Sequence, residues 1–281
     1  MNTNKERVVM ISVSGEISHP VVRMPRLDGE GNVYYVPSVG GITYNFSLGD
    51  LAFKPHADHV EPDVSIKNKD KSENEALMAL ASIGNEAVVI SGDGKGMKGF
   101  VIGKHGGINH VIVHFPDKEK LSVGDRILIK AWGQGLRLLD YPELAVYNID
   151  PELFDKIFEE RDGKVLAPIT TIVPGFMMGS GIGSTNPAAT DYDINTRDEH
   201  LVKEYGIDKL RIGDLVAIDN HDCKYGVGGY KEGYISIGIV VHSNCVTTGH
   251  GPGVVVIMTG PKDHIEIERK DDANIKNYMG W

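Results

Sequence analysis

Three apolar runs in the C-terminal half constrain the fold of this chain more than any other feature. Leu215–Ile218, Tyr234–Val241 and Val254–Met258 are short, rich in β-branched residues and separated by Gly, Asp and His. Gly213-Asp214 precedes the first run, and Asp219-Asn220-His221-Asp222-Cys223 follows it. The second run ends on His242, and Gly249-His250-Gly251-Pro252-Gly253 leads into the third. Paired in chain order, the runs form an antiparallel meander. Asp219, His221 and Asp222 then lie at the opposite end of the sheet from His242 and His250, and those two histidines share an end.

The rest of the chain is punctuated in the same way. Glycine makes up 34 of the 281 residues, well above the ~7% of ordinary proteins, which implies many tight turns between short strands. Gly-Asp recurs before strand-forming residues in Ser47-Leu48-Gly49-Asp50, Ser122-Val123-Gly124-Asp125 and Arg211-Ile212-Gly213-Asp214. Gly accepts positive φ and Asp can bond the backbone beyond it, so these copies read as structural punctuation. Three helices are expected. Ser72-Glu73-Asn74-Glu75 is a capping box for a helix carrying Leu77, Leu80 and Ile83 up to Gly84. Asp150-Pro151 opens a second, and Thr196-Arg197-Asp198-Glu199 a third that stops at Gly206. The expected fold is mainly β with a few helices, built from barrel- or sandwich-like elements. A division near residue 163 gives β-rich halves of residues 1–163 and 164–281.

A net charge of −10 argues against a non-specific nucleic-acid or anionic-membrane surface. No stretch has membrane length, and Met1–Arg7 is polar and mixed in charge, so the cytoplasm is the expected compartment. Cys223 and Cys245 are not in a Cys-x-x-Cys pair and are expected to be reduced there.

Motifs that could name a reaction fail on context. Gly94-Lys95-Gly96-Met97-Lys98-Gly99 has the dinucleotide spacing, but strand-like Phe100-Val101-Ile102 follows where a helix is required. Gly179-Ser180-Gly181 leads into loop and is no nucleophile elbow. Other groups suit binding. Lys104-His105-Gly106-Gly107 reads as a hairpin tip, where His105 can approach a ligand with little steric cover from Gly106 and Gly107. Asp191 and Asp193 share a face if extended, and so can act as a pair on a cation or a water. His56-Ala57-Asp58-His59-Val60-Glu61-Pro62-Asp63 holds donors suited to zinc, manganese or iron, or is a solvated acidic loop.

Gly103-Lys104-His105-Gly106-Gly107, Ala131-Trp132-Gly133-Gln134-Gly135-Leu136, Met178–Gly183, Asp191–Ile194 and Gly249–Gly253 resemble a prokaryotic family catalogued as domain of unknown function 4438. That resemblance implies a β-rich soluble protein and no particular activity. A fainter similarity links Asp191-Tyr192-Asp193-Ile194, and Gly213-Asp214 with Asp219–Asp222, to acetamidase/formamidase proteins. The departures are that Ala189-Thr190-Asp191 replaces Gly-Gly-Asn, and that His221 lies well past Gly-Asp instead of beside it.

The leading expectation is a cytosolic homo-oligomer that binds a small polar ligand or a divalent ion. His105, Gly106, Gly107, Asp191, Asp193 and His250 are the ligand candidates, and Asp219, His221, Asp222 and His242 the metal candidates. The rival expectations are a metal-dependent hydrolase of a small amide and a ligand-free assembly protein.

Overall fold

A computed structural model describes residues 1–281 apart from 23, 24, 35, 185, 227, 248 and 281. Six strands close an antiparallel barrel in the order Ile11–Ile17, Val64–Lys67, His110–His114, Lys98–His105, Glu86–Val89, Arg126–Ala131. Strand side chains alternate between faces, and here both faces are buried. Val101, Val111 and Val113 point into the barrel with Ile66, Ile127 and Ile129. Phe100, Ile102 and Ile112, one residue out of phase, belong to the larger core shared with the second half of the chain.

The helix Lys71–Leu80 adds Leu77 and Met78 to the barrel core. Its cap differs from the expected box. Asp70 accepts from the Glu73 amide, and the helix ends at Leu80 because Ala81 turns extended. Beyond it the Ser82 amide donates to Asn85 Oδ1 instead of continuing the helical ladder.

In the second half, Leu215–His221, Tyr230–Val240 and Gly253–Pro261 do pair as an antiparallel meander. Thr171–Pro174 joins one side in parallel, while Tyr192–Asp193 and Ala145–Val146 pair with Gly253–Pro261 on the other. A smaller sheet combines Glu159–Arg161, Lys164–Ile169 and Ile265–Arg269. Residue 163 lies in the tight turn between its first two strands. The fold is therefore mainly β, with four short α-helices among the described residues. The second and third helices, Pro151–Ile157 and Glu199–Glu204, are capped by Asp150 and Asp198, and Ile275–Met279, between its N-cap Asn274 and Gly280, is a fourth beyond the three expected. None of the described helices is long and apolar enough to cross a membrane.

The three Gly-Asp copies form one repeated turn. Gly49, Gly124 and Gly213 have φ of 93°, 91° and 89°, the left-handed geometry that glycine accepts at the third position of a type II turn. Each Asp side chain bonds back, not onward: Asp50, Asp125 and Asp214 accept from the amides of Ser47, Ser122 and Arg211 at 2.9, 2.8 and 2.9 Å. Strands follow the second and third copies, but Leu51 after the first makes only an isolated bridge to Arg211.

Candidate functional site

A cavity of about 200 Å³ has His59, His105, Asp191, Asp193 and His250 on its walls. The sheet positions the two carboxylates. Tyr192 pairs with Val254 and Asp193 with Gly253, and strand alternation sends Asp191 and Asp193 to one face and Tyr192 to the other. The Tyr192 ring stands 5.5 Å from that of His221 on its side. His105 ends the barrel strand Lys98–His105, which comes close to the second sheet only because residue 103 is glycine. A Cβ there would lie 2.6 Å from Val241 Cγ1. That approach stacks the His105 and His242 rings with centroids 4.4 Å apart.

His59 arrives from a loop and adopts φ 59°, a strained conformation for a residue other than glycine. Its neighbours fix it there. The Val60 amide donates to Ser243 Oγ at 2.9 Å, and the Ser243 amide donates back to the Val60 carbonyl at 3.0 Å.

A shell of acceptors orients three of the imidazoles. Nδ1 of His59 faces Asp58 Oδ1 at 2.8 Å, Nδ1 of His105 faces Glu61 Oε1 at 2.6 Å, and Nδ1 of His242 faces the Ser243 carbonyl at 2.9 Å. An acceptor at Nδ1 places the proton there and leaves the Nε2 lone pair free in the neutral ring, the arrangement typical of metal-binding histidines. Asp58 is held in turn by Arg26 Nε at 2.7 Å and the Cys245 thiol at 2.8 Å. Glu61 also accepts from Ser65 Oγ, the Gly40 amide and His110.

Inside this shell the donors form two groups. In the first, His59 Nε2 lies 3.0 Å from His250 Nδ1 and 3.5 Å from Asp193 Oδ2, which is itself 2.8 Å from His250 Nδ1. In the second, His242 Nε2 lies 2.9 Å from Asp191 Oδ2 and 3.2 Å from Asp193 Oδ1, with His105 completing the set. The geometry of His242 satisfies a hydrogen bond to Asp193 but not to Asp191, so the buried Asp191 Oδ2 has no hydrogen bond among the described residues. The other oxygen, Oδ1, accepts from the Gly106 amide at 2.7 Å.

The electrostatics follow from this crowding. Burial pushes His59 down, but hydrogen bonds to Asp193 and Asp58 outweigh it and hold the ring at about 12. Burial also lowers His242, and the Asp191 and Asp193 carboxylates more than reverse that, to about 10. For Asp193 and Glu61, burial alone would raise the carboxyl. The surrounding imidazoles instead keep both well below the usual carboxylate range, His242, His250 and His59 around Asp193 and His105 and His110 around Glu61. Protons thus occupy the site at neutral pH, and a metal cation competes for the same lone pairs.

The structure brings together His105, Gly106, Asp191, Asp193, His242 and His250, and Gly107 also lines the cavity. It does not bring Asp219, His221 and Asp222 to them. Asp219 pairs with Lys262 at 2.6 Å, His221 Nδ1 with Ser236 Oγ at 2.7 Å, and Asp222 with Lys231 at 3.2 Å, along the other end of the meander. His242 therefore separates from the three residues grouped with it and joins the ligand candidates. Of the acidic segment 56–63, His59 enters the site and Asp58 and Glu61 stand behind it, while Asp63 pairs with His114 and Lys118. Cys245 had no signal in the sequence.

Two family models match the chain: Domain of unknown function (DUF4438), N-terminal, over residues 25–155, and Domain of unknown function (DUF4438), C-terminal, over residues 155–279. The chain is also similar to a solved protein, TM1086, at 52% identity and a TM-score of 0.92, with 99% of each chain covered. Among curated proteins none matches it.

Proposed function

The chain belongs to the DUF4438 family, a family of unknown function, and on the chemistry of its own site we propose that it is a divalent-metal protein that binds a small polar molecule beside the metal. The observation that carries this reading is the anchoring of His59, His105 and His242 through Nδ1, which turns the Nε2 of His242 to Asp191 and Asp193 and that of His59 to Asp193 and His250. Imidazole with carboxylate suits zinc, manganese, iron or nickel. The test is elemental analysis of the full chain prepared without a metal-affinity tag. We expect near-stoichiometric transition metal that only a strong chelator removes, and its loss in the His59→Ala/His242→Ala double variant. A folded protein that neither carries metal nor takes up added Zn²⁺ would sink the proposal.

Hydrolysis of a small amide is the activity this reading favours. A cavity of about 200 Å³ suits a substrate of a few heavy atoms, since one water occupies ~30 Å³. A metal held by these imidazoles and carboxylates would supply Lewis acidity and would ease deprotonation of water for attack on an amide carbonyl, and the Asp191 and Asp193 carboxylates would pass the water's proton to the departing amine. Turnover of simple amides should disappear on chelation and return with metal. The free, buried Cys223 and Cys245 accord with a reducing, cytoplasmic setting.

A further inference from the structure

We propose that the site holds two divalent ions per chain, bridged by the Asp193 carboxylate. The proposal rests on the metal-binding reading above and extends it. The two oxygens of Asp193 serve different groups, Oδ2 facing His59 and His250 and Oδ1 facing His242. A carboxylate whose oxygens each face their own set of donors is built as a bridge.

The first group has the dimensions of one coordination face. For bonds of ~2.1 Å, neighbouring donors around a metal stand about 3.0 Å apart in octahedral and about 3.4 Å apart in tetrahedral geometry. The three edges here are 2.8, 3.0 and 3.5 Å. Single N–H protons cannot satisfy all three edges, because each N–H points along one line. One cation satisfies them together.

The second group has a cradle of its own. Asp191 is 6% exposed, and among the described residues its Oδ2 has no hydrogen bond, only the ion-pair contact with His242. His242 Nε2 lies 2.9 Å from that oxygen and 3.2 Å from Asp193 Oδ1, edges of the length that donors around one ion span. Gly253 packs against both side chains: a Cβ there would stand 2.2 Å from His242 Nε2 and 2.4 Å from Asp191 Oδ2, so any larger residue would push them out of place. Gly253 has no left-handed φ, so the absence of a side chain is required by the site and not by the backbone.

The test is a titration of the chelator-stripped full chain with Zn²⁺, read by calorimetry and by the metal retained after dialysis. Two Zn²⁺ per wild-type chain are expected. One per chain is expected in Asp191→Asn, which weakens a donor of the second group and leaves His59, His250 and Asp193 in place. Gly253→Ala, whose Cβ would displace His242 and Asp191, gives the same readout where it folds. One Zn²⁺ in the wild type, or two retained by folded variants, overturns the second ion while leaving the metal-protein reading intact. No Zn²⁺ in the wild type overturns both.

Discussion

His221 is 1% exposed, its Nδ1 bonds Ser236 Oγ, and its Nε2 has no hydrogen-bond partner among the described residues. Burial lowers this ring from 6.5 to about 4, so the folded chain holds it neutral while the unfolded chain protonates it. Stability from this group is fully present above pH 6.5 and is lost as pH falls from 6.5 toward 4. A shift of this size corresponds to on the order of 3 kcal/mol. His221→Gln should therefore flatten the acid limb of a stability–pH curve measured by urea unfolding. An identical slope in wild type and variant between those pH values would remove His221 as its cause. Chain-order pairing of the three apolar runs already puts this histidine and His242 at opposite ends of the sheet, and the pairing of Leu215 with Ile239 and of His221 with Tyr230 bears that out.

At the scale of elements, the strand Lys98–His105 carries the most consequence, since its alternate residues supply two cores and its last residue enters the site. Gly103 is the contact that makes this possible. Gly103→Ala places a Cβ against Val241 and forces the barrel and sheet apart, at a cost of ~1–3 kcal/mol for overpacking. It also separates the His105 and His242 rings, so Zn²⁺ affinity should fall along with the denaturant midpoint. If both stay at wild-type values, the close approach does not position His105. Elements of this kind were largely legible. Short continuous apolar runs rich in β-branched residues gave the meander, and Asp150-Pro151 gave a helix, because those signals are local. The cap at Asp70 was missed because Asp and Ser compete for the same role two residues apart. Barrel closure was not legible, since it depends on Ile11–Ile17 meeting Arg126–Ala131 far along the chain. The site divides along the same line. Glycine flanks marked His105 and His250, but nothing local distinguishes His59 from His56. Their difference arises only when the loop docks on Ser243.

For the whole molecule, the site joins a loop, the barrel and the second sheet, so its occupancy should be a large part of global stability. An ion at a free concentration ~1,000 times its Kd contributes about 4 kcal/mol. For a chain of this size each kcal/mol moves Tm by ~2–4 °C. Removing metal with a strong chelator should therefore lower Tm by on the order of 10 °C, and Zn²⁺ should restore it. A Tm indifferent to both would mean that the donors are held in place without any ion. The order of the donors along the chain has a consequence for biosynthesis. His59 and His105 leave the ribosome early, yet His250, the contact of His59, lies 191 positions later. A nascent chain can therefore offer only scattered imidazoles, and under the proposed function metal capture would be a finishing step for a fully synthesised, correctly folded molecule.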